Sequence, residues 1–246
     1  MQIDLLQMLY VLLPSIGGGL VQGTTGFGSG IFVMLFFPYF LPLLQSSALS
    51  SLAGMFICIS MAWKFRKHIN PKVVILPAIF YFIASFLALR FAVNTDMSQL
   101  KAFFGLFLIA ISLWFMFFAD KIRIKANLLT AFICGSLAGV ASGLFGIGGP
   151  PIVIYILAIT GDDKEAYLAN TQFFFSITGI YTTVLRIMNG IITPSLLPLV
   201  IPAFLGMTIG KNFGLKIVEK IDVKLMKKLI YGFLGLSGLS TFLTNI

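Results

Sequence analysis

The residues best placed for chemistry in this 246-residue chain are glycines and small neutral polar side chains, not acids, histidines or cysteines. The segment Gly19-Leu20-Val21-Gln22-Gly23-Thr24-Thr25-Gly26-Phe27-Gly28-Ser29-Gly30 has a counterpart in Gly139-Val140-Ala141-Ser142-Gly143-Leu144-Phe145-Gly146-Ile147-Gly148-Gly149-Pro150. Gly19, Gly23, Gly26 and Gly28 each meet a glycine 120 residues on (139 − 19). A glycine break in an apolar stretch bares backbone N–H groups that lipid cannot satisfy, so it is tolerated only in buried protein or beside a polar cavity. A half-helix restarting at such a break aims its N–H groups and positive dipole end at it, which favours an anion. The candidate binding set is therefore Gln22, Gly23, Thr24, Thr25, Gly26, Gly28 and Ser29 in the first copy, with Ser142, Gly143, Gly146, Gly148 and Gly149 in the second. The spans that follow add Ser47, Ser50 and Ser51, then Asn170, Thr171 and Gln172. All are neutral hydrogen-bonding groups suited to the oxygens of sulfite, a sulfonate or a carboxylate. Close helix packing is the competing use of the glycines. It leaves the Pro150-Pro151 restart unexplained, whereas proline in a first helical turn loses no hydrogen bond.

The elements that carry these residues are membrane helices. The chain is 59% hydrophobic and 10% charged, with a mean hydropathy of +1.02; a soluble domain is about 25% charged. Apolar runs recur at Ser46–Trp63, Val73–Ala92, Leu100–Ala119, Ala166–Met188, Leu196–Leu215 and Leu225–Leu243, each near the ~20 residues that cross a bilayer core. Met1-Gln2-Ile3-Asp4 lacks the basic start of a cleavable signal peptide. The repeat continues downstream, with Pro71 answered by Pro194, Pro77 by Pro202, Asp96 by Asp222 and Gly105 by Gly232. Residues 1–122 and 123–246 are thus expected to be two homologous membrane repeats.

Loop charge orients them. Leu5 to Pro42 would be ~57 Å long as one helix, nearly twice the bilayer core. It either crosses once and finishes along the surface, or folds into a hairpin around the glycines. Single crossings divide the seventeen Lys and Arg residues eight against nine between the two faces. Hairpins place fourteen on one face and leave only Arg90, Lys101 and Arg186 on the other, which is the asymmetry expected of a cytoplasmic face. The expected fold is an all-α polytopic membrane protein of two inverted halves. Each half is a broken glycine-containing hairpin followed by three transmembrane helices, the arrangement that alternating access uses.

The other reactive residues are peripheral. Arg90 and Arg186 lie nearest the hydrophobic zone on the sparsely charged face. They either attract an anion or snorkel to the headgroups, and their long stems favour snorkelling. Asp162-Asp163-Lys164-Glu165 reads as a helix start at Asp162, with Glu165 three residues on, before it reads as a metal cluster. His68 sits in a basic loop and is expected to be solvated. Cys58 and Cys134 lie in apolar segments with no C-x-x-C pairing and behave as small hydrophobes. No carboxylate falls near a span centre, which argues against a carboxylate proton relay and against a metal carrier. An intramembrane enzyme would need a nucleophile–base pair or metal ligands that this chain does not present. No cofactor and no metal are expected, and nucleic acid is not expected as a partner. The net charge of +9 lies in short loops beside spans, where topology and anionic lipid account for it. The expected partners are a small anionic substrate and the lipid bilayer, with homo-oligomerisation left open.

At Gly139-x-x-x-Gly143-Leu144-Phe145-Gly146-Ile147-Gly148-Gly149-Pro150-Pro151, followed by Ala169-Asn170-Thr171 at the next span, the chain resembles the TauE/SafE family of sulfite and organosulfonate transporters. The first copy around Gly23-Thr24-Thr25-Gly26-Phe27-Gly28 fits less closely, with Ser29-Gly30 in place of Gly149-Pro150. The resemblance covers essentially the whole chain. It implies movement of a small sulfur-containing or carboxylate anion across the bacterial inner membrane, without fixing substrate or direction. Carriage of small carboxylates or of a metal cation is the alternative.

Overall fold

The computed structural model describes residues 5–117, 125, 127–161 and 163–217, and among these every regular element is helical. Helices α1 (Leu5–Thr25) and α2 (Ser29–Val33) flank the first break, followed by α3 (Leu43–Lys64), α4 (Pro71–Val93) and α5 (Met97–Phe117). Helices α6 (Leu128–Phe145) and α7 (Gly149–Thr160) flank the second, followed by α8 (Lys164–Met188) and α9 (Leu197–Ile217). Five of the six apolar runs map onto α3, α4, α5, α8 and α9. The run Leu225–Leu243, the repeat matches Asp222 and Gly232, the basic residues Lys121, Arg123, Lys220, Lys224, Lys227 and Lys228, and Asp162 lie outside the described residues. By length and composition, α3, α4 and α6 are apolar enough to cross a membrane.

Local sequence sets the helix ends. Pro71 occupies the first turn of α4, and the Asn70 side chain accepts from the Lys72 N–H at 3.2 Å. Asn127 and Thr130 cap α6 reciprocally. Asp163 caps α8 by accepting from the Ala166 N–H at 3.0 Å. Each arrangement satisfies donors that the first helical turn would leave bare.

At both breaks the chain doubles back. Gly26, Gly28 and Gly146 have φ of +80°, +93° and +73°, left-handed values that glycine reaches without a Cβ penalty. Along the first hairpin the Tyr10 and Phe40 rings stack with centroids 6.0 Å apart. In the second, a Cβ at Gly148 would lie 2.8 Å from the Ala138 carbonyl oxygen. The two return arms differ. α7 runs twelve residues from its Pro-Pro start, whereas α2 has five and gives way to a tight turn at Phe37–Tyr39. Pro38 lies in that turn and has no N–H to continue a helix.

Three helix pairings build the body: α1 on α9, α6 on α4, and α3 on α8. The first two are glycine seams. A Cβ on Gly135 would strike the Pro77 carbonyl, and Cβ atoms on Gly139 and Gly143 would lie 2.5 and 2.6 Å from the Tyr81 and Ser85 carbonyl oxygens. On the other seam, a Cβ on Gly19 would strike the Met207 carbonyl, one on Gly23 would lie 2.5 Å from the Lys211 carbonyl oxygen, and one on Gly210 would strike Ile16. Backbone-to-backbone contact of this kind is how helices associate where lipid removes the hydrophobic drive. The packing use of glycine therefore holds for Gly19, Gly23, Gly139 and Gly143. Leu100, Phe104 and Leu108 of α5 close over Phe27, Phe145 and Ile147 at the hairpin tips. The outer surface is apolar, with Ile75, Ile79, Ile83 and Leu87 exposed along α4 and Leu129, Ile133 and Leu137 along α6. Such a surface suits a multi-pass membrane protein and would aggregate in water.

Candidate functional site

The two breaks meet. A Cβ on Gly30 would lie 3.2 Å from the Gly146 carbonyl oxygen, and one on Gly149 would lie 3.3 Å from the Phe27 ring. Between them, α3 and α8, with Tyr81 of α4, line a cavity of about 90 Å³. At ~30 Å³ per water in the liquid, that is room for about three waters, or for one small oxyanion. Nine of the residues expected from sequence line it: Gln22, Gly28, Ser29, Ser50, Ser51, Ser142, Gly146, Gly148 and Gly149. α3 contributes Ser50, Ser51, Gly54, Met55 and Cys58, and α8 contributes Phe175, Thr178, Gly179 and Thr182.

The remaining expected residues are placed elsewhere. Gly23 and Gly143 belong to the glycine seams. The Thr24 hydroxyl donates to the Leu20 carbonyl at 3.0 Å, and that of Thr25 donates to the Phe27 carbonyl at 2.7 Å. Gly26 turns the first hairpin, its carbonyl accepting from both Gln22 and Gln172. Asn170 lies at the α3–α4 loop, where its oxygen accepts from the Asn70 N–H at 2.8 Å and its amide donates to the Ala166 carbonyl at 2.7 Å. The Thr171 hydroxyl is buried without a hydrogen-bond partner. In the same region His68 is not simply solvated, because its Nε2 lies 3.1 Å from a Glu165 carboxylate oxygen.

The first break is closed by its own amides. Gln22 Nε2 donates to Gln172 Oε1 at 3.0 Å, and Gln22 Oε1 accepts from both the N–H (3.3 Å) and the hydroxyl (3.0 Å) of Ser29. The side chain of Gln22 thus sits on the first N–H of α2, where an anion was expected. The second break has no such plug. Ser142 stands at the position matching Gln22 and meets the hydroxyl of Tyr81. No side chain caps α7, and Pro150 and Pro151 present no N–H of their own.

Arg186 overturns the snorkelling expectation. It is 1% exposed and turns inward, donating through Nη1 to the Ser47 carbonyl (3.1 Å) and the Ser51 hydroxyl, and through Nη2 to the Ser142 carbonyl (2.9 Å). Two of those partners, Ser51 and Ser142, form the cavity wall. No carboxylate lies within ion-pair distance of it among the described residues. The reason is register: Thr178, Thr182 and Arg186 recur every fourth residue of α8, on the face that meets α3. Gly54 and Cys58 continue the polar face of α3 from Ser47 and Ser51 in the same way. This helical spacing of small residues was the available sequence signal for the part of the lining not expected from sequence, Gly54 and Cys58 of α3 and Thr178 and Thr182 of α8. For Tyr81 the signal was weaker, with only Ser85 four residues on in an apolar run. Cys58 is a buried free thiol on the cavity wall, and no group of three or more potential metal ligands occurs among the described residues.

A family model described as sulfite exporter TauE/SafE matches residues 11–241. A probable membrane transporter protein of Methanocaldococcus jannaschii is 39% identical to the chain over 100 residues, a stretch covering 38% of this chain and 36% of that relative. No solved structure matches.

Proposed function

The chain belongs to the TauE/SafE sulfite exporter family, and on that premise we propose that it is a secondary transporter or facilitator that moves a small sulfur-containing oxyanion, sulfite or an organosulfonate, across the bacterial inner membrane. One observation carries the reading. A cavity at the junction of the two glycine breaks is lined by hydroxyls, glycines and apolar side chains and backed by the buried guanidinium of Arg186, with no carboxylate beside it among the described residues. A buried positive charge in a membrane is costly even when carbonyls satisfy its N–H groups, and a transported anion supplies the countercharge. The same charge opposes a metal cation, so the cavity supports an anion over that alternative. Export of an anion from an inside-negative cell is favourable by about 2.3 kcal/mol per charge per 100 mV, so the outward direction needs no coupled ion.

Two inverted repeats, 1–122 and 123–246, are part of the proposal. Exchanging the halves turns the α1–α9 pair into α6–α4 and leaves the α3–α8 pair unchanged, which is the pattern a pseudo-two-fold axis produces. Alternating access then consists of the two hairpins rocking against α3 and α8 around the cavity. In this orientation a cysteine introduced at Asn94 or Asn189 is labelled from outside and one at Asn70 only from inside. Labelling of all three from one side would overturn it.

The function is tested by tracer flux of sulfite, sulfoacetate and taurine in proteoliposomes with the membrane potential clamped at two values. Saturable flux that follows the potential establishes anion transport and counts the charge moved. Flux of none of the three rejects the sulfur-oxyanion reading.

A further inference from the structure

We infer that the oxyanion seat is one-sided: it draws its charge from Arg186 behind the second break, while the corresponding place at the first break is filled by the protein's own Gln22 carboxamide. The inference rests on the anion-transport reading above and names the residues that give the site its sign.

Near-repeats would ordinarily present two equivalent half-sites. Here the Gln22 carboxamide oxygen already accepts two hydrogen bonds from Ser29, and its amide is held by Gln172 and the Gly26 carbonyl. Those bonds engage both the oxygen and the amide of Gln22, so its carboxamide is committed to the protein. Where the two breaks meet, two buried polar atoms have no hydrogen-bond partner: the Ser50 hydroxyl, which a Cβ on Gly30 would approach to 3.4 Å, and Arg186 Nε, whose guanidinium is bonded to the Ser142 carbonyl of the second break. Ser50 is 2% exposed and lines the cavity. The uncapped start of α7 faces the same space through Gly148 and Gly149. Arg186 stands behind Ser51 and Ser142, bonded to both, so its charge reaches the cavity through one layer of hydroxyl and peptide dipoles. Neutral carbonyls satisfy its N–H groups but not its charge. An oxyanion beside Ser50 would supply the missing acceptor and the missing countercharge together. Arg186 is therefore a specificity-determining residue, acting by charge from behind the wall, and Ser50 is the direct contact.

The test measures half-saturation for sulfite in proteoliposomes containing the wild-type protein, S50A, R186K, R186Q and Q22A, with the apparent melting temperature of each. Absence of saturable wild-type flux defeats the anion-transport reading itself. Given wild-type flux, half-saturation should rise about threefold to tenfold in S50A at unchanged melting temperature, since that hydroxyl makes no bond in the unliganded protein. R186Q should raise it about tenfold or more, and R186K, which keeps the charge but loses the fork, should recover part of the loss. Q22A should lower the melting temperature more than S50A and shift half-saturation less. Unchanged half-saturation in S50A, or R186K as impaired as R186Q, would overturn the one-sided seat. Should R186Q not be recovered folded, Arg186 can be left as the sole arginine by R66K, R90K and R123K, and its modification by phenylglyoxal followed. Protection by sulfite upholds the proposal, and an unaltered rate with saturating sulfite overturns it.

Discussion

The two glycine breaks share a sequence pattern and a left-handed turn, yet they solve the exposed-backbone problem in opposite ways. At the first, long amides from α1 and α8 close onto the bare groups, with Gln22 bridging Ser29, Gly26 and Gln172. At the second, a short serine replaces Gln22, two prolines remove N–H groups outright, and a guanidinium from α8 secures the surrounding carbonyls. One break is a lock and the other a socket. Two hairpins with the same glycine pattern thus present a satisfied amide network at one turn and an uncapped helix start at the other.

The largest difference between the breaks should come from Gly146→Ala set against Gly26→Ala. Both residues have positive φ, so each variant carries a conformational penalty of about 1–2 kcal/mol. The new methyl at Gly146 would also stand 3.0 Å from the Ser47 backbone oxygen, whereas at Gly26 the nearest obstacle is a methyl of the Leu168 side chain. Gly146→Ala should therefore lower the apparent melting temperature further, and should also reduce sulfite flux because it shifts the wall beside Ser51. Equal losses at both positions would mean that the two turns are interchangeable.

A smaller effect sharpens the lock. Gln172→Ala removes the partner of Gln22 and one donor to the Gly26 carbonyl, leaving buried polar atoms unsatisfied at about 1–3 kcal/mol each. The expected result is a lower melting temperature with sulfite affinity falling less than in S50A. The smallest effect belongs to the cytoplasmic edge of the proposed topology. Disrupting the partly exposed His68–Glu165 pair with Glu165→Gln should change stability by less than about 1 kcal/mol. A loss comparable to that of Gln172→Ala would show that this pair, not the amide lock, holds the start of α8 in place.

The legible and illegible parts of the site divide by the same physics. The serines of α3 could be read because small polar residues in an apolar helix stand out at any register. Gly146, Gly148 and Gly149 could be read because they interrupt a hydrophobic run. Gly23 and Gly143, by contrast, look identical to site glycines in sequence, and only their contacts with the Lys211 and Ser85 backbones identify them as packing residues. Asn170 sits beside two polar neighbours in sequence, yet its side chain points to the Asn70 loop and not into the cavity. Arg186 was the costliest misreading. An arginine two residues from a helix end can extend outward to headgroups or inward to carbonyls, and the choice depends on what the facing helix offers.

The sequence alone determined that this chain is a bundle of apolar helices interrupted twice by glycine. Hydropathy, helix-breaking and capping are properties of neighbouring residues and need no knowledge of the fold. The tertiary structure decided which glycines carry seams, which break is filled, and where the buried Arg186 points. Those outcomes depend on pairs such as Gln22 with Gln172 and Arg186 with Ser51, separated by 150 and 135 residues. No local pattern encodes such pairs, because they exist only once the helices have packed.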